Sequence, residues 1–302
     1  MIKPKRANPG DKVGIFLPSS SIKEDFRKKG LLEVKSLGFE VIEVDDIYSN
    51  KNYYAKGAEQ TYNDLVHLFN DEEVSVIWSA RGGYGANYLI EYLNENGFYE
   101  FKPKIIMGSS DVSYLLWHFL DKFNTVVFYS PMVFSSIAEK RYDKKQLVKI
   151  ITGDYDEMLI KGDVLIEGKV KGVVTGGCLT NFVSLLGTEY LPDINNKVLF
   201  LEDVGEEGYR LDRMFWQLER AGIFQKIKGL VLGEFVKCFI DERDRDIFFN
   251  NLINRLSKYD FPIIHNLPIG HGDYVKTLPL GIEIEIDTDK FSGIMFNEKG
   301  VI

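Results

Sequence analysis

Short apolar runs alternate with amphipathic stretches through the first 135 residues of the chain. The apolar runs predict strands at residues 12–18, 40–44, 74–79, 104–107 and 125–129. The stretches between them carry apolar residues every three or four positions and predict helices at residues 23–37, 59–70, 86–94 and from 112 onward. Buried strands that alternate with amphipathic helices are typical of a parallel sheet covered on both faces. We therefore predict an α/β domain over residues 1–136.

The second half of the chain follows a different pattern. Residues 137–165 are charged and weakly periodic, and they predict a helical linker. Beyond the linker, helical stretches and short apolar runs alternate less regularly, with the helices at residues 180–186 and 210–221 and the runs at residues 168–174, 198–201, 229–232 and 282–286. This pattern predicts a smaller, strand-rich domain over residues 166–302.

The composition limits which partners such a protein binds. A formal net charge of -8 over 302 residues means no domain-wide basic excess, which argues against a surface for nucleic acid or for an anionic membrane. The two cysteines, Cys178 and Cys238, exclude a disulfide framework and fit a reduced compartment. The apolar run at residues 13–17 is too short for a signal-peptide core, and no run approaches the roughly 20 residues that cross a bilayer. We expect a cytoplasmic protein without nucleic-acid or membrane partners.

Polar turns follow three of the predicted strands, at residues 18–21, 80–85 and 108–111. The carboxyl ends of parallel strands lie along one edge of a sheet, and ligands bind at that edge. The glycine-rich turn departs from the dinucleotide fingerprint Gly-x-Gly-x-x-Gly, because Tyr88 stands at the position of the last glycine. Gly82 and Gly83 are therefore predicted to let the backbone approach a ligand or a neighbouring turn, or simply to form the turn.

Ser110 lies in the turn between a predicted strand and a predicted helix. A hydroxyl at this position can project from the sheet edge, next to helical N–H groups that have no partner within the helix. This geometry suits a nucleophile whose substrate becomes an oxyanion. Serine and aspartate are also the ordinary N-cap residues of helices, so the turn alone favours capping over catalysis. The Gly-x-Ser-x-Gly nucleophile elbow does not fit, because Val112 follows two positions after Ser110.

A nucleophilic serine needs a base, and the chain has four histidines. His67 and His118 lie within predicted helices, and His118 is about 12 Å from Ser110 along the helix axis, too far to serve it. His265 and His271 remain as candidates. His271 lies between two glycines in a flexible turn, whereas His265 could equally be a packed residue. The residues alone do not decide between these two histidines.

The carboxylate that orients such a base is expected at the end of a strand, and the run at residues 198–201 ends in two acids. Glu202 and Asp203 point to opposite faces of a strand, so at most one of them can face the site. The alternative is a strand end that meets solvent. The sequence shows no cluster of His, Cys and carboxylate residues at metal-ligand spacing, so we expect no metal and no cofactor.

Five short motifs follow one another along nearly the whole chain. They are Gly10-Asp-Lys-Val-Gly14 with Pro18-Ser-Ser20, Arg81-Gly-Gly-Tyr-Gly85, Gly108-Ser-Ser-Asp111, Leu201-Glu-Asp-Val-Gly205 with Tyr209-Arg-Leu-Asp-Arg213, and Gly270-His-Gly272. In this order they resemble the LD-carboxypeptidase family, serine peptidases that include muramoyltetrapeptide carboxypeptidases and the microcin C self-immunity peptidases. The resemblance implies a flavodoxin-like N-terminal domain, a β-barrel-like C-terminal domain and a homodimer.

The resemblance also assigns a role to each candidate catalytic residue. It places the nucleophile on Ser110, the base on His271 and the orienting carboxylate on Glu202, in preference to His265 and Asp203. The implied triad is completed by side chains from both domains.

One further set of site residues follows from the resemblance, and a second is predicted from side-chain chemistry. The oxyanion hole is assigned to the backbone N–H groups of Gly83 and Asp111. Substrate binding is assigned to the turn that carries Arg81 and Gly82. The fork of Arg81 suits a terminal carboxylate, although a solvated surface arginine is the alternative interpretation.

The activity implied is hydrolysis of the amide between an L-configured centre and a terminal D-amino acid in murein tetrapeptides, through an acyl-enzyme. Two alternatives stay open. The same chemistry could act on a peptidyl-nucleotide of the microcin C type. A non-catalytic protein could use the same cleft to hold a peptide or a nucleotide.

The chain departs from the family pattern at three places. Tyr129-Ser-Pro131 stands where the family often has His-Gly-Pro, and Cys178 stands where an asparagine commonly follows two glycines. The segment Gly57-Ala-Glu-Gln-Thr-Tyr62 also differs from the family pattern. These positions lie outside the predicted triad and bear on the subclass of substrate.

Overall fold

The computed structural model describes residues 1–43, 53–98 and 101–302. It divides the chain into two compact units. The first unit comprises Met1–Tyr155, Asp273–Gly281 and Lys299–Ile302, and the second comprises Asp156–Gly272 and Ile282–Glu298. The sequence predicts a helical linker over residues 137–165, and in that range the structure has helix α5 (Lys144–Thr152), a strand at Met158–Lys161 and the start of a strand at Asp163–Ile166. Two short C-terminal segments also belong to the first unit. One of them, Asp273–Gly281, contains a strand that pairs with the sheet of this unit.

The first unit is built on a six-stranded sheet. Its strands are β1 (Lys12–Phe16), β2 (Glu40–Glu43), β3 (Val74–Ser79), β4 (Ile105–Gly108), β5 (Val127–Tyr129) and β12 (Leu278–Leu280). The order is β2-β1-β3-β4-β5-β12, with the first five parallel and β12 antiparallel to β5. The order 2-1-3-4-5 is that of flavodoxin-like folds, so the predicted parallel sheet and its topology are confirmed. The predicted second strand ends at residue 44, which lies outside the described residues.

Four helices follow the strands of this sheet where the sequence predicts them: α1 (Glu24–Ser36), α2 (Ala58–Asn70), α3 (Ala86–Asn96) and α4 (Ser113–Lys122). A turn of π-helix at Val133–Ile137 and helix α5 follow them in the chain. Helix α2 shows how closely helix and sheet approach. A Cβ added to Gly14 in β1 would lie 2.6 Å from a terminal methyl of Leu68 in α2, so a larger residue there would force that side chain to move. Of the described helices, none is both long and apolar enough to span a membrane.

The order of the strands decides where a ligand can bind in this unit. The chain moves outward in one direction from β1 to β2 and in the other direction from β3 to β5. The crevice between β1 and β3 therefore opens at the carboxyl ends of these strands. The turns that begin after Phe16 and Ser79 lie at this edge, and the turn after Gly108 follows the next strand of the sheet.

The second unit contains an eight-stranded mixed sheet. Its strands are β6 (Met158–Lys161), β7 (Asp163–Ile166), β8 (Lys169–Cys178), β9 (Val198–Val204), β10 (Gly229–Val236), β11 (Ile263–Leu267), β13 (Glu283–Asp287) and β14 (Gly293–Phe296). The order is β6-β14-β13-β8-β9-β10-β11-β7, and β8 to β11 are parallel. Within the described residues no pairing joins β6 to β7, so the sheet is open and the expected barrel-like closure is not confirmed. Three helices accompany it, α6 (Leu179–Ser184), α7 (Gly208–Arg220) and α8 (Glu242–Leu256).

A buried carboxylate joins helices α7 and α8. Glu219, near the end of α7, accepts hydrogen bonds from Lys258 and Arg255, and its carboxylate lies 3.2 Å from Arg220. The side chain of Glu219 is only 4% exposed. Hydrogen bonds from Lys258, Arg255 and Arg220 lower the pKa of Glu219 to about 2, although burial acts in the opposite direction. The charged form of Glu219 is therefore favoured in the folded chain.

We expect Glu219→Gln to destabilise the second unit at neutral pH. The folded-state pKa lies below the usual 4.5, so the stabilisation is complete above pH 4.5 and is lost as the pH falls toward 2. The free energy of unfolding should fall by about 1 to 2 kcal/mol at pH 7, since the cations are partly exposed and screened. Urea unfolding of both proteins between pH 2 and pH 7 measures this. A difference that does not shrink toward low pH would contradict the assignment.

Candidate active site

Ser110 lies at the carboxyl end of β4, in a left-handed backbone conformation. Its φ is 58°, which is uncommon for a residue other than glycine and costs about 1 to 2 kcal/mol. Ser110 begins a short 3-10 turn that ends at Val112 and leads into α4, as the predicted strand, turn and helix require. The capping positions of the turn and of α4 are Ser109 and Val112, and neither makes a side-chain capping bond. The capping interpretation of Ser110 is therefore not supported.

Both peptide groups of Ser110 are held by side chains. The N–H of Ser110 donates to the hydroxyl of Tyr129 at 3.0 Å. The carbonyl of Ser110 accepts a hydrogen bond from the hydroxyl of Ser113 at 2.6 Å. These two contacts fix the backbone on either side of the strained residue.

The carboxylate of Asp111 connects the turns after three strands. It is buried, and it accepts hydrogen bonds from the hydroxyl of Ser19 at 2.6 Å and from the N–H of Ala86 at 2.9 Å. Burial raises the pKa of Asp111, and the two hydrogen bonds oppose that rise. The sequence predicts a role only for the backbone of Asp111. The side-chain role was missed, although a serine and an aspartate at neighbouring strand ends are a signal for it.

The glycine-rich turn packs directly on the turn of Ser110. A Cβ added to Gly82 would lie 2.9 Å from the Cβ of Ser110, 3.1 Å from its Oγ and 3.4 Å from the N of Asp111. Gly83 has a φ of 120°, and a Cβ there would meet the hydroxyl of Ser20. The backbone of this turn can therefore approach the serine only because both residues are glycine.

Two further contacts tie the glycine-rich turn to the turn after β1. The guanidinium of Arg81 donates to the carbonyl of Ser21 at 2.8 Å. The hydroxyl of Ser20 donates to the carbonyl of Tyr53 at 2.9 Å and accepts from the N–H of Tyr84 at 3.2 Å. Arg81 is half-buried and engaged with its neighbour, so the interpretation as a solvated surface arginine does not fit.

In the second unit, His271 is paired with a fully buried carboxylate. The Nδ1 atom of His271 lies 2.7 Å from Oε2 of Glu202, whose side chain is 0% exposed, while the side chain of His271 is 19% exposed. A carboxylate accepts hydrogen bonds, so Nδ1 carries the proton and Nε2 of the neutral ring is an acceptor. Gly270 makes this pair possible, because a Cβ there would lie 2.3 Å from Oε2 of Glu202.

Asp203 has a different partner. Its carboxylate accepts from the N–H and the hydroxyl of Thr180 at 2.9 and 2.7 Å and so caps the start of α6. Burial and the charge of Glu202 raise the pKa of Asp203 to about 6. The thiol of Cys178 lies 3.9 Å from the same carboxylate, and burial raises the pKa of this thiol. The two acids thus act on different faces of β9, as strand alternation predicts.

Two of the other histidines, His265 and His118, lie in packed regions of the fold. His265 packs against Phe249 with 4.7 Å between ring centroids, and burial lowers the pKa of His265. His118 lies among aromatic residues, and burial lowers its pKa to about 4. Both rings therefore favour the neutral form. His271 differs from them because its ring is hydrogen-bonded to a carboxylate.

The candidate residues thus form two separate groups, one within each unit. The first unit brings Ser110, Asp111 and the turn of Arg81, Gly82 and Gly83 together at one edge of its sheet. The second unit brings Glu202 and His271 together. Such groups can supply an activated hydroxyl, an acceptor for its proton and backbone donors for an oxyanion. Among the described residues, no group of three or more His, Cys, Asp or Glu side chains could hold a metal ion.

Comparison with known proteins identifies relatives of both halves of the chain. A family model described as the LD-carboxypeptidase N-terminal domain matches residues 13–130, and one described as the LD-carboxypeptidase C-terminal domain matches residues 171–286. The chain is similar to a protein of Synechocystis sp. named "Putative carboxypeptidase", with 31% identity over 95% of each chain. It is also similar to the murein tetrapeptide carboxypeptidase of Pseudomonas aeruginosa, with 26% identity over 89% of this chain and 91% of the relative.

A third relative is the microcin C7 self-immunity protein MccF of Escherichia coli. Its sequence is 26% identical over 93% of this chain and 91% of its own length. The chain is also similar to a solved structure of MccF in complex with glutamyl sulfamoyl guanosine. The match covers 100% of both chains, with a TM-score of 0.87 and 22% sequence identity. The likeness to that structure concerns the fold alone.

Proposed function

The chain belongs to the LD-carboxypeptidase family, and we propose that it is a serine carboxypeptidase that hydrolyses the L,D amide bond to a terminal D-amino acid in murein tetrapeptides. The observation that carries this proposal is the hydrogen bond between His271 Nδ1 and the fully buried carboxylate of Glu202. A buried carboxylate that holds a partly exposed imidazole is what a general base requires. The name of the Pseudomonas relative supports a murein tetrapeptide as the substrate.

In the proposed mechanism, Ser110, His271 and Glu202 act as one triad. Ser110 Oγ attacks the carbonyl carbon of the scissile amide while Nε2 of His271 accepts its proton. The same proton passes to the nitrogen of the leaving D-amino acid as the C–N bond breaks. Glu202 orients the ring and stabilises the imidazolium. Water then attacks the acyl-enzyme while His271 accepts its proton, and His271 returns that proton to Ser110 Oγ as the acyl bond breaks and the shortened peptide is released.

The developing oxyanion is proposed to accept hydrogen bonds from the N–H groups of Asp111 and Gly83. Each donor of this kind typically contributes about 3 kcal/mol to lowering the barrier. The N–H of Ser110 already donates to Tyr129, which leaves the next N–H along the chain for this role. Gly82 keeps the space beside Ser110 open, and Arg81 binds the terminal carboxylate of the peptide.

The proposal is tested by incubating the protein with muramyl tetrapeptide and measuring released D-alanine. A fluorophosphonate probe is applied in parallel, because it labels only an activated serine hydroxyl. Release of D-alanine together with labelling of Ser110 is the expected result. A protein that binds the peptide without release or labelling would be the non-catalytic binding protein considered above.

The similarity to MccF supports a second candidate substrate, a peptidyl-nucleotide. The same triad would then cut a peptide-like amide next to a nucleotide. Measurement of kcat/KM for both substrates in competition decides between them. A ratio that favours the nucleotide conjugate would replace the murein assignment and leave the chemistry unchanged.

We also propose that the protein works as a homodimer in the cytoplasm and uses neither metal nor cofactor. The family resemblance supports the dimer, and the composition supports the location. Sedimentation velocity of the purified protein measures the oligomeric state directly. Activity after dialysis against a chelator measures the independence from metal.

We expect Gly82→Ala to lower kcat by at least about tenfold with little loss of stability. The new Cβ would lie 2.9 Å from Ser110 Cβ and 3.4 Å from the N of Asp111, so it displaces the nucleophile or blocks a donor. Gly57→Ala is the matched control, because a Cβ there meets nothing within 4 Å. Steady-state kinetics and thermal melting measure both variants. Equal kcat values for the two would contradict the placement of Gly82.

A further inference from the structure

The hydroxyl of Tyr129 touches the backbone of the proposed nucleophile. Tyr129 is the last residue of β5, and it pairs with Gly108 of β4 in the parallel register. The N–H of Ser130 donates to the carbonyl of Gly108 at 2.9 Å and extends this pairing by one bond. The end of β5 is therefore fixed against the end of β4, two residues before Ser110.

The side chain of Tyr129 spans the remaining distance. It is 1% exposed, and its hydroxyl accepts the N–H of Ser110 at 3.0 Å. On its other side, Tyr129 pairs with Leu278 of β12. With strands on both sides and a buried ring, Tyr129 has little freedom to move. It can hold the N–H of Ser110 at one position in space.

The conformation of Ser110 needs such a support. A φ of 58° is unfavourable for serine, and a strained residue persists only where its surroundings determine it. Without an acceptor, the peptide group between Ser109 and Ser110 could rotate toward a relaxed conformation. The hydroxyl of Ser110 would then leave the position next to Gly82. The hydrogen bond to Tyr129 opposes this rotation.

The backbone donor proposed for the oxyanion lies in the same turn as this hydrogen bond. The N of Asp111, one residue after Ser110, is 3.4 Å from the position of a Cβ added to Gly82. A rotation at Ser110 would therefore disturb the nucleophile and the oxyanion donor together. Such a loss appears in kcat more than in KM, because both groups act mainly in the transition state.

We infer that Tyr129 is a positioning residue for catalysis, which holds Ser110 in its reactive conformation through the hydrogen bond to its N–H. The inference rests on the proposed function of Ser110. It assigns a task to a side chain that does not touch the reacting atoms. A merely structural tyrosine would change stability and leave the reactivity of Ser110 unaltered.

The test compares Tyr129→Phe with Tyr155→Phe. The hydroxyl of Tyr155 also accepts a backbone N–H, that of Gly300 at 3.3 Å, and Tyr155 is 7% exposed, so both variants remove a similar buried acceptor. Tyr129→Phe should lower kcat for D-alanine release by at least tenfold, keep KM within about twofold, and slow fluorophosphonate labelling of Ser110 by a similar factor. Tyr155→Phe should leave all three within twofold while lowering the melting temperature comparably.

The outcomes separate this inference from the proposed function. If the wild type is labelled at Ser110 and Tyr129→Phe is labelled equally fast, the inference is overturned and the proposed function stands. If the wild type releases no D-alanine from the tetrapeptide but is labelled, the substrate fails and the labelling rates still decide the role of Tyr129. A wild type that is not labelled overturns both. Hydrogen exchange needs no variant, and a fast-exchanging Ser110 amide in the wild type also overturns the inference.

Discussion

Replacement of Ser110 by alanine is expected to lower kcat for D-alanine release by about 10⁴-fold or more. The substitution removes the attacking oxygen, and no neighbouring group then forms the acyl-enzyme. The remaining activity would come from the oxyanion donors and from substrate binding. Single-turnover measurements with the tetrapeptide, together with loss of fluorophosphonate labelling, check this result.

The same position offers a second measurement that does not depend on activity. With a φ of 58°, Ser110 stores backbone strain that glycine does not share. Ser110→Gly should therefore unfold with a free energy about 1 kcal/mol higher than that of Ser110→Ala, although both are inactive. Equal stabilities would show that the turn relaxes in the variants. An alanine variant that retains activity would remove Ser110 from the mechanism.

Local patterns predict the five parallel strands of the first unit and the helices between them. Apolar strands and amphipathic helices alternate there, so the period of the apolar residues gives each of these elements and its type. The parallel order also made the carboxyl edge predictable. The turns of Ser19, Gly82 and Ser110 meet there, because parallel strands end on one side of the sheet.

Contacts between distant segments were not predictable from these patterns. Strand β12 joins the first sheet by pairing with β5, and no local signal distinguishes it from the strands of the second unit. The hydrogen bonds of Asp111 to Ser19 and of Tyr129 to Ser110 likewise join separate strands. Such contacts depend on sheet register, which a single sequence specifies only indirectly.

The two acids at the end of β9 were predictable in part: local alternation gives their directions, but their partners depend on distant segments. Alternation along the strand predicts that Glu202 and Asp203 face opposite ways, and they do. It does not predict which of them faces the histidine. That choice depends on a distant segment of the same chain, in which Gly270 leaves room for the carboxylate of Glu202.

These adjacent acids allow a matched pair of variants. Glu202→Gln keeps the size of the side chain but removes the charge that stabilises the imidazolium of His271. We expect kcat to fall by about 10³-fold with KM nearly unchanged, since the charge acts in the transition state. Asp203→Asn likewise removes one negative charge, at the next residue and on the other face of β9. It should leave kcat within about threefold.

The pH dependence of stability distinguishes the second variant further. The folded-state pKa of Asp203 is about 6, above the usual 3.8, so the folded chain binds more protons than the unfolded chain between these values. The contribution of Asp203 to stability therefore declines as the pH rises from about 4 to 6. Asparagine removes this decline. Relative to the wild type, Asp203→Asn should gain up to about 3 kcal/mol of unfolding free energy between pH 4 and pH 7.

Activity and stability are thus predicted to separate at two neighbouring residues. Steady-state kinetics and urea unfolding at several pH values measure both variants side by side. If Asp203→Asn lost as much activity as Glu202→Gln, the loss would reflect damage to the end of β9, because Asp203 is hydrogen-bonded to Thr180 whereas Glu202 is hydrogen-bonded to His271. If Glu202→Gln remained fully active, the buried pair would be structural and another group would have to orient the base.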